Sequence, residues 1–202
     1  MFCGKPLIWW TIHALSKTNT VDEIIVATDS SKIENIVEDF GFEQVKIYHR
    51  SPLNATDQSS TESVMLEYIE SVALDRNTRF LLVQATSPFT RPEDFKNALD
   101  LFHSTQCDSI LSVVENKRFF WSKNGEALNY NYKNRSRRQD LEASLMENGA
   151  FYISTVKDIL VSKNRLSGKV LPYIMPEYTG LELDEPMDWL QGEAIMKFLL
   201  RK

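Results

Sequence analysis

Two carboxylates one residue apart, Glu182 and Asp184, could bind a hard cation. In an extended segment, side chains at positions i and i+2 point to the same side, so both carboxylates would face one ligand. Carboxylate oxygens are the ligands that hard cations prefer in proteins. The alternative is a solvated acidic turn that caps the final helix, and the pair alone does not decide between the two.

A second group of polar side chains follows a short apolar run. Residues Phe80 to Val83 are apolar throughout, which is typical of a strand buried on both faces. Gln84, Thr86 and Ser87 come directly after it, before a helix that Pro92 should start. In open α/β sheets, ligands bind at the carboxyl ends of the strands, and the Gln84 amide could read a base or a sugar edge. The alternative is a loop that only caps the next helix.

Two other stretches carry arginines. Arg135, Arg137 and Arg138 form a local cluster of guanidinium groups in an acidic protein, which indicates a phosphate or carboxylate ligand. The alternative is a solvated loop or a contact with acidic residues of another subunit. The loop from Arg50 to Thr61 follows a predicted strand and precedes a predicted helix, so it should reach the same sheet edge as Gln84. Its alternative is ordinary turn and cap chemistry.

Alternating strands and helices must position these residues. The pattern predicts an α/β domain with a mostly parallel sheet. A polar, aromatic and basic excursion interrupts it at about residues 116–147. Asp29 and Ser30 are predicted to cap the helix that follows the first strand. The predicted strands are residues 24–27, 44–48, 80–83, 109–114, 150–154 and 169–175, and the predicted helices are residues 6–17, 31–40, 60–74, 92–102, 156–160 and 187–200.

The composition of the 202 residues fits one globular domain. A net charge of −5 gives no reason to expect a nucleic-acid partner or an anionic membrane partner. No apolar run approaches the ~18 residues of a membrane span. Cys3 and Cys107 show no CxxC pattern and fit a reducing cytoplasm. The three histidines show no metal spacing.

Seven motifs in a fixed order carry a family resemblance: GKPLIWWTIHAL, EIIVATDS, HRSPLNATDQSST, LLVQATSPF, RSRRQD, ENGAFYI and YIMPEYTGLELDEPMDW. The chain resembles the acylneuraminate cytidylyltransferases, or CMP-sialic acid synthetases, over almost all of its length. The stretch RSRRQDLEASLMENGAFYI is similar to the animal-type and Bacteroides-like members. The resemblance implies a single Rossmann-like nucleotidyltransferase domain, a three-layer sandwich from which residues 116–147 protrude as a dimerisation subdomain of a cytoplasmic homodimer.

The resemblance also implies a reaction and a set of site residues. CTP and a nonulosonic acid would give a CMP-sugar and pyrophosphate, with Mg²⁺, when the anomeric hydroxyl attacks the α-phosphate. The implied roles are nucleotide binding for Arg50, Asp57 and Thr61; sugar binding for Gln84, Gln139, Asn148 and Tyr152; catalysis for Arg138, Glu182 and Asp184; and metal binding for Glu182 and Asp184.

The sequence departs from the family pattern in two places. Glu182 stands where the family usually has Asp, which changes the reach of one metal ligand. The family also has a strand and a triphosphate-binding loop before the GKPLI motif, whereas this sequence begins at Met1-Phe2-Cys3. Without that strand, its two neighbours should remain unpaired or pair directly, and CTP binding should be impaired.

Two alternatives to a sialic-acid enzyme remain open. One is a cytidylyltransferase for another keto-deoxy sugar acid, such as Kdn or a pseudaminic, legionaminic or Kdo-type acid. The other is a catalytically inactive homologue that binds a sugar or a nucleotide, or acts only as a dimer partner.

Overall fold

A computed structural model describes residues 1–201 and shows alternating helices and strands. The helices are α1 (Leu7–Ser16), α2 (Ser31–Glu38), α3 (Thr61–Ser71), α4 (Pro92–Ser104), α5 (Val156–Ser162) and α6 (Pro186–Leu199). The strands are β1 (Ile24–Thr28), β2 (Val45–His49), β3 (Arg79–Val83), β4 (Ser109–Asn116), β5 (Ser144–Thr155) and β6 (Val170–Met175). The predicted α/β fold is confirmed.

The strands form two separate sheets. β1 and β2 are a parallel pair, and the other sheet has the order β3-β5-β4-β6. β4 and β6 are parallel, but β5 runs antiparallel to both β3 and β4, so the second sheet is mixed. β5 also begins at Ser144 rather than at the predicted Ala150. The excursion returns directly into β5 without a crossover helix, and antiparallel strands can be joined in that way.

The main core lies between α1 and α4 and the strands β4 and β5. Phe95, Ile110, Phe151 and Ile153 are fully buried there. The Phe151 ring lies 5.4 Å from that of Phe95 and 5.7 Å from that of Tyr173. β5 is hydrogen-bonded to a strand on each side and packs into this core, and the two together fix its position.

The edges of β1 and β3 that face away from β2 and β5 have no strand partner within residues 1–201. Between them lies a cavity of about 950 Å³, lined on its other sides by α1 and α3. Of the two arrangements expected for these neighbours, unpaired edges rather than direct pairing are found among the described residues. β3 was predicted to be buried on both faces, and this was wrong, because residues 80–83 are only half-buried beside the cavity.

The first residues are fixed by an aromatic cluster. Phe2 is fully buried, and its ring makes edge contacts with Trp10, Phe89 and Trp189. A tight turn, in which Phe2 and Lys5 exchange backbone hydrogen bonds, then leads into α1. Within the described residues, no helix is both long enough and apolar enough to cross a lipid bilayer.

Candidate active site

Three residues from distant parts of the chain meet beyond the carboxyl end of β3. Gly149, in β5, has a φ of +65°. A Cβ atom at that position would lie 2.6 Å from Oε1 of Gln84 and 3.1 Å from Oε2 of Glu182. Gln84 and Glu182 thus lie on either side of Gly149, whose missing side chain permits their close approach.

The acidic pair has the geometry that its spacing predicts. Leu183 is buried, and its N–H donates to the carbonyl of Thr86 at 3.0 Å, which holds this segment against the loop after β3. Glu182 and Asp184, on either side of Leu183, are more exposed. Burial, followed by the nearby carboxylates of Asp184 and Glu147, raises the pKa of Glu182 above its usual range.

This concentration of negative charge fits a cation. Burial is the main cause of the raised pKa of Glu182, and the carboxylates of Asp184 and Glu147 lie near enough to add to it. Within residues 1–201, no group of three or more His, Cys, Asp or Glu side chains is arranged to hold a metal ion. Mg²⁺ is commonly bound by one or two carboxylates together with substrate phosphates and water, so the pair fits Mg²⁺ as part of such a set.

Asn148 lies beneath this cluster rather than in it. It is fully buried, and its side-chain nitrogen donates to Oγ1 of Thr179 at 3.0 Å. Its side-chain oxygen accepts a hydrogen bond from the Ala150 N–H at 3.4 Å. With its amide engaged by protein groups, Asn148 is placed to fix the backbone that precedes Gly149.

Tyr152 is buried and belongs to a chain of polar side chains that reaches the surface at Glu147. Its hydroxyl donates to Glu147, and burial, together with Glu147, raises the pKa of Tyr152 to about 12. The Arg165 guanidinium lies 4.9 Å from the centre of the Tyr152 ring and donates to Oε1 of Glu62 at 2.5 Å. Tyr152 therefore stays protonated at neutral pH and connects Glu147, which faces the acidic pair, with the first turn of α3.

Two of the three predicted nucleotide residues, Arg50 and Thr61, line the cavity between β1 and β3. Arg50 pairs with Asp29, which lowers the pKa of that carboxyl. Nε of Arg50 is buried and has no hydrogen-bond partner in the structure. Thr61, the first residue of α3, lines the same cavity as Arg50. Of the two residues predicted to cap α2, Ser30 is the N-cap, without a side-chain cap bond, and Asp29 pairs with Arg50 instead.

The loop between Arg50 and Thr61 is fastened by a carboxylate. Glu67 accepts hydrogen bonds from Ser51 at 2.6 Å, from Tyr48 at 2.8 Å and from Asn54. These donors, with the Ser51 hydroxyl contributing most, lower the pKa of Glu67 to about 2. Glu67 therefore stays ionised and holds the beginning of this loop on α3.

Three predicted site residues are not brought into this cluster. Asp57 is exposed in its loop. Arg138 and Gln139 lie in the exposed excursion, where Nε of Arg138 donates to the Lys117 carbonyl at 3.1 Å. The Arg138 guanidinium also lies 3.9 Å from Glu177.

Sequence reasoning missed Glu147, Gly149, Asp29 and Arg165. The Asn148-Gly149 dipeptide is the sequence signal for a positive φ at Gly149. Glu147 lies two residues before Gly149, and the predicted excursion ran through it because Ser144 to Asn148 lacks apolar periodicity. No local pattern indicates the partners of Asp29 and Arg165, which lie 21 and 103 residues away.

The fold and the site define an α/β protein with a polar site at the carboxyl edge of its strands. Residues 1–177 match the family model described as "Cytidylyltransferase". The chain therefore belongs to the cytidylyltransferase family, which confirms the resemblance.

Curated relatives of the chain are sugar-acid enzymes by name. N-acylneuraminate cytidylyltransferases A and B of Danio rerio are 33% and 32% identical over 98% and 96% of this chain. The chain spans about half of these relatives, 46% of each. CMP-N,N'-diacetyllegionaminic acid synthase of Legionella pneumophila is 29% identical, over 98% of this chain and 88% of its own length.

Solved structures share the fold. A 4-diphosphocytidyl-2C-methyl-D-erythritol synthase from Anaerococcus prevotii superposes with a TM-score of 0.70 at 14% identity, covering 98% of this chain and 88% of its own. A CMP:2-keto-3-deoxy-manno-octonic acid synthetase, solved in complex with CTP, has a TM-score of 0.67 at 17% identity, with 98% and 90% covered. At these identities the likeness shows the fold alone.

We predict that Gly149→Ala displaces the Gln84 side chain. Its Cβ would overlap Oε1 of Gln84, whereas Gly125→Ala, also at a positive φ of +84°, meets nothing within 4 Å. Both variants should lose about 1 kcal/mol of unfolding free energy through the left-handed backbone. Only Gly149→Ala should shift the Gln84 side-chain amide resonances in NMR spectra, and unchanged resonances would contradict the close approach.

A second prediction concerns the pH dependence of stability. Because the folded state raises the pKa of Glu182, it binds that proton more tightly than the unfolded state does. Ionisation of Glu182 therefore costs stability, and this cost grows as pH rises from the unfolded pKa of about 4.3 through the raised folded pKa. Glu182→Gln should be more stable at pH ~7 by a few tenths to about 1 kcal/mol, and this gain should vanish in acid.

Urea unfolding without divalent cations, at neutral and at acidic pH, measures this difference. Glu126→Gln, at an exposed position in the excursion, is the matched control. A Glu182→Gln variant that gains nothing over this control at neutral pH would contradict the raised pKa of Glu182.

Proposed function

We propose that this chain transfers a cytidylyl group from CTP to a nonulosonic, sialic-type acid. The anomeric hydroxyl oxygen of the sugar forms a bond to the α-phosphorus, the bond from that phosphorus to the bridging oxygen breaks, and the hydroxyl proton is released. The products are a CMP-sugar and pyrophosphate. The observation that carries the proposal is the convergence of Gln84, Gly149 and Glu182 beyond β3, in a chain of the cytidylyltransferase family.

The chain's own residues would perform binding and orientation. On the nucleotide side, Arg50 offers a buried Nε donor without a partner, and Thr61 begins α3, whose N-terminus favours negative charge. Asp57 is proposed to contact the nucleotide from the same loop. Each of these groups would hold CTP without taking part in bond breaking.

On the sugar side, Gln84 offers an amide that can both donate and accept hydrogen bonds. Asn148 would support this surface from beneath, and Tyr152 would do so through Glu147. Arg138 and Gln139 are proposed to approach from the excursion. Mg²⁺, held by Glu182 and Asp184, would supply charge neutralisation for the phosphates.

The second candidate is transfer to another keto-deoxy sugar acid. The specific observation in its favour is that the legionaminic acid synthase is 29% identical over 98% of this chain. The two candidates share the reaction and differ in the substituents on the distal part of the sugar.

We also infer a cytoplasmic location and a homodimer. Both cysteines are free thiols, as a reducing compartment would keep them. The excursion exposes aromatic and aliphatic side chains, and aromatic residues and arginine are enriched at protein interfaces. The exposed side chains are Phe120, Trp121, Leu128 and Tyr132. Light scattering should give twice the 23.3 kDa chain mass, and a monomeric mass would refute the homodimer.

Pyrophosphate release from CTP and Mg²⁺ tests the function, with N-acetylneuraminate, Kdn and Kdo supplied in turn. We expect the highest release with N-acetylneuraminate. Gln84→Ala should raise the KM for the sugar roughly tenfold or more and change the KM for CTP far less, because losing a buried polar contact costs about 1–3 kcal/mol.

Gln106→Ala is the matched control, since Gln106 is exposed before the amino end of β4, at the opposite edge of the sheet. Preference for another sugar acid would favour the second candidate. No release with any sugar, together with no binding of sugar or CTP, would leave the inactive dimer partner as the better description.

A further inference from the structure

α3 is the helix that carries the proposed nucleotide contacts. Thr61 is its first residue, and Glu67, further along, holds the loop that follows Arg50. The Ser51 N–H donates to Oε1 of Glu67 at 2.8 Å, and the Ser51 hydroxyl donates to Oε2 at 2.6 Å. A displacement of α3 would therefore displace both Thr61 and the start of this loop.

The middle of α3 is held in place by apolar packing. Met65 and Ile69 are buried in a cluster that includes side chains of α5 and β3. The hydrophobic effect is not directional, so this packing alone does not fix how far the helix slides along its neighbours. A directional contact near the first turn would fix the position of Thr61.

The ion pair between Glu62 and Arg165 is a directional contact of this kind. Glu62 follows Thr61 in α3, and Arg165 lies in the loop between α5 and β6. Nε of Arg165 donates to Oε1 of Glu62 at 2.5 Å. The two side chains are only 22% and 19% exposed, so salt and water screen the pair weakly. The hydrogen bond from Arg165, the largest cause, lowers the pKa of Glu62, which therefore stays ionised at neutral pH.

The loop that presents Arg165 is itself fixed. The Ser167 N–H donates to Oγ of Ser109, the first residue of β4, at 2.8 Å, and the Ser109 hydroxyl donates to the Ser167 carbonyl at 2.9 Å. Before Arg165, the Asn164 side chain accepts a hydrogen bond from the Leu166 N–H at 3.0 Å. These hydrogen bonds hold the backbone around Arg165 against the four-stranded sheet.

The same guanidinium also contacts the proposed sugar side. It lies 4.9 Å from the centre of the Tyr152 ring, and the Tyr152 hydroxyl donates to Glu147. Glu147 lies near enough to Glu182 to contribute to the raised pKa of that carboxyl. Arg165 thus contacts both the first turn of α3 and the polar chain that ends beside the acidic pair.

We propose that Arg165 is a positioning residue, which through Glu62 and Tyr152 fixes the start of α3 relative to Glu147 and the acidic pair. Its part in transfer rests on the proposed function, in which CTP is held from α3 and its loop and the sugar from the four-stranded sheet. A misplacement of about 1 Å between reacting groups can cost roughly a hundredfold in rate. Arg165 acts through its two neighbours and not on the reacting atoms.

A second ion pair between the same two regions offers a matched control. Nζ of Lys163 lies 3.9 Å from Oε1 of Glu70, in the last turn of α3, and the two side chains are 58% and 65% exposed. Exposed pairs of this kind contribute little, because water screens them and their side chains lose entropy when they pair. Lys163→Met and Glu70→Gln therefore remove the same charges as Arg165→Met and Glu62→Gln without loosening the start of α3.

Steady-state kinetics with CTP, Mg²⁺ and N-acetylneuraminate, well below the unfolding temperature of each variant, test the role in transfer. Arg165→Met and Glu62→Gln should each lower kcat roughly tenfold or more and change the KM for either substrate less than about threefold. The double variant should be no slower than Arg165→Met alone, because both changes break the same contact. Lys163→Met and Glu70→Gln should keep kcat within about twofold.

NMR spectra of the chain without substrates test the positioning separately from turnover. Glu62→Gln should shift the side-chain carboxyl resonance of Glu147, because the Arg165 guanidinium and the Tyr152 ring connect the two. Arg165→Met should shift the backbone amide resonance of Thr61. The control Glu70→Gln should leave both resonances unchanged.

The outcomes separate this inference from the proposed function. A lower unfolding temperature with unchanged kcat would mean that the pair only stabilises helix packing, and a rise confined to the KM for CTP would mean that it acts on nucleotide binding. Either result would overturn the positioning role in transfer. Resonance shifts in a chain without turnover would refute the proposed function and support the positioning contact, whereas turnover without those shifts would refute the contact.

Discussion

The arrangement of the candidate site depends on β5 and on the close approach that Gly149 allows. β5 is paired by β3 on one side and by β4 on the other, and its residues from Ala150 to Ser154 are buried. At Gly149 the strand takes a positive φ, and the absence of a Cβ leaves room for Gln84 and Glu182. Any larger side chain there would push these two groups apart. Gly149, which has no side chain, thus allows Gln84, a proposed sugar contact, to lie close to Glu182, a proposed metal ligand.

The parts of the site that follow from local rules could be predicted from sequence. Alternation in an extended segment placed Glu182 and Asp184 on one side, and Leu183 buried between them confirms that interpretation. The end of an apolar run placed Gln84 at the sheet edge. The chain from Glu147 through Tyr152 to Arg165 could not be predicted, because its members are held together by tertiary contacts that no spacing encodes.

The error about β3 has a similar physical origin. Four consecutive apolar residues correctly predicted a strand whose sides avoid water, but burial depends on what lies next to the strand as well as on its own composition. Residues 80–83 are half-buried because the position beside them holds no strand in the described chain. The apolar sequence of β3 therefore fits a sheet that continues past it, and the cavity is where that continuation belongs.

The two sides of the proposed reaction lie on different sheets. Gln84 and Gly149 belong to the four-stranded sheet and the loop that follows it, whereas Arg50 and Asp29 follow the strands of the two-stranded sheet. Transfer requires the attacking oxygen and the phosphorus to be held about 3–3.5 Å apart in line. Helix packing across a cavity fixes such a distance less rigidly than a continuous hydrogen-bonded ladder does. The proposed sugar contacts therefore lie on one sheet alone, whereas the proposed transfer needs both sheets at a fixed separation.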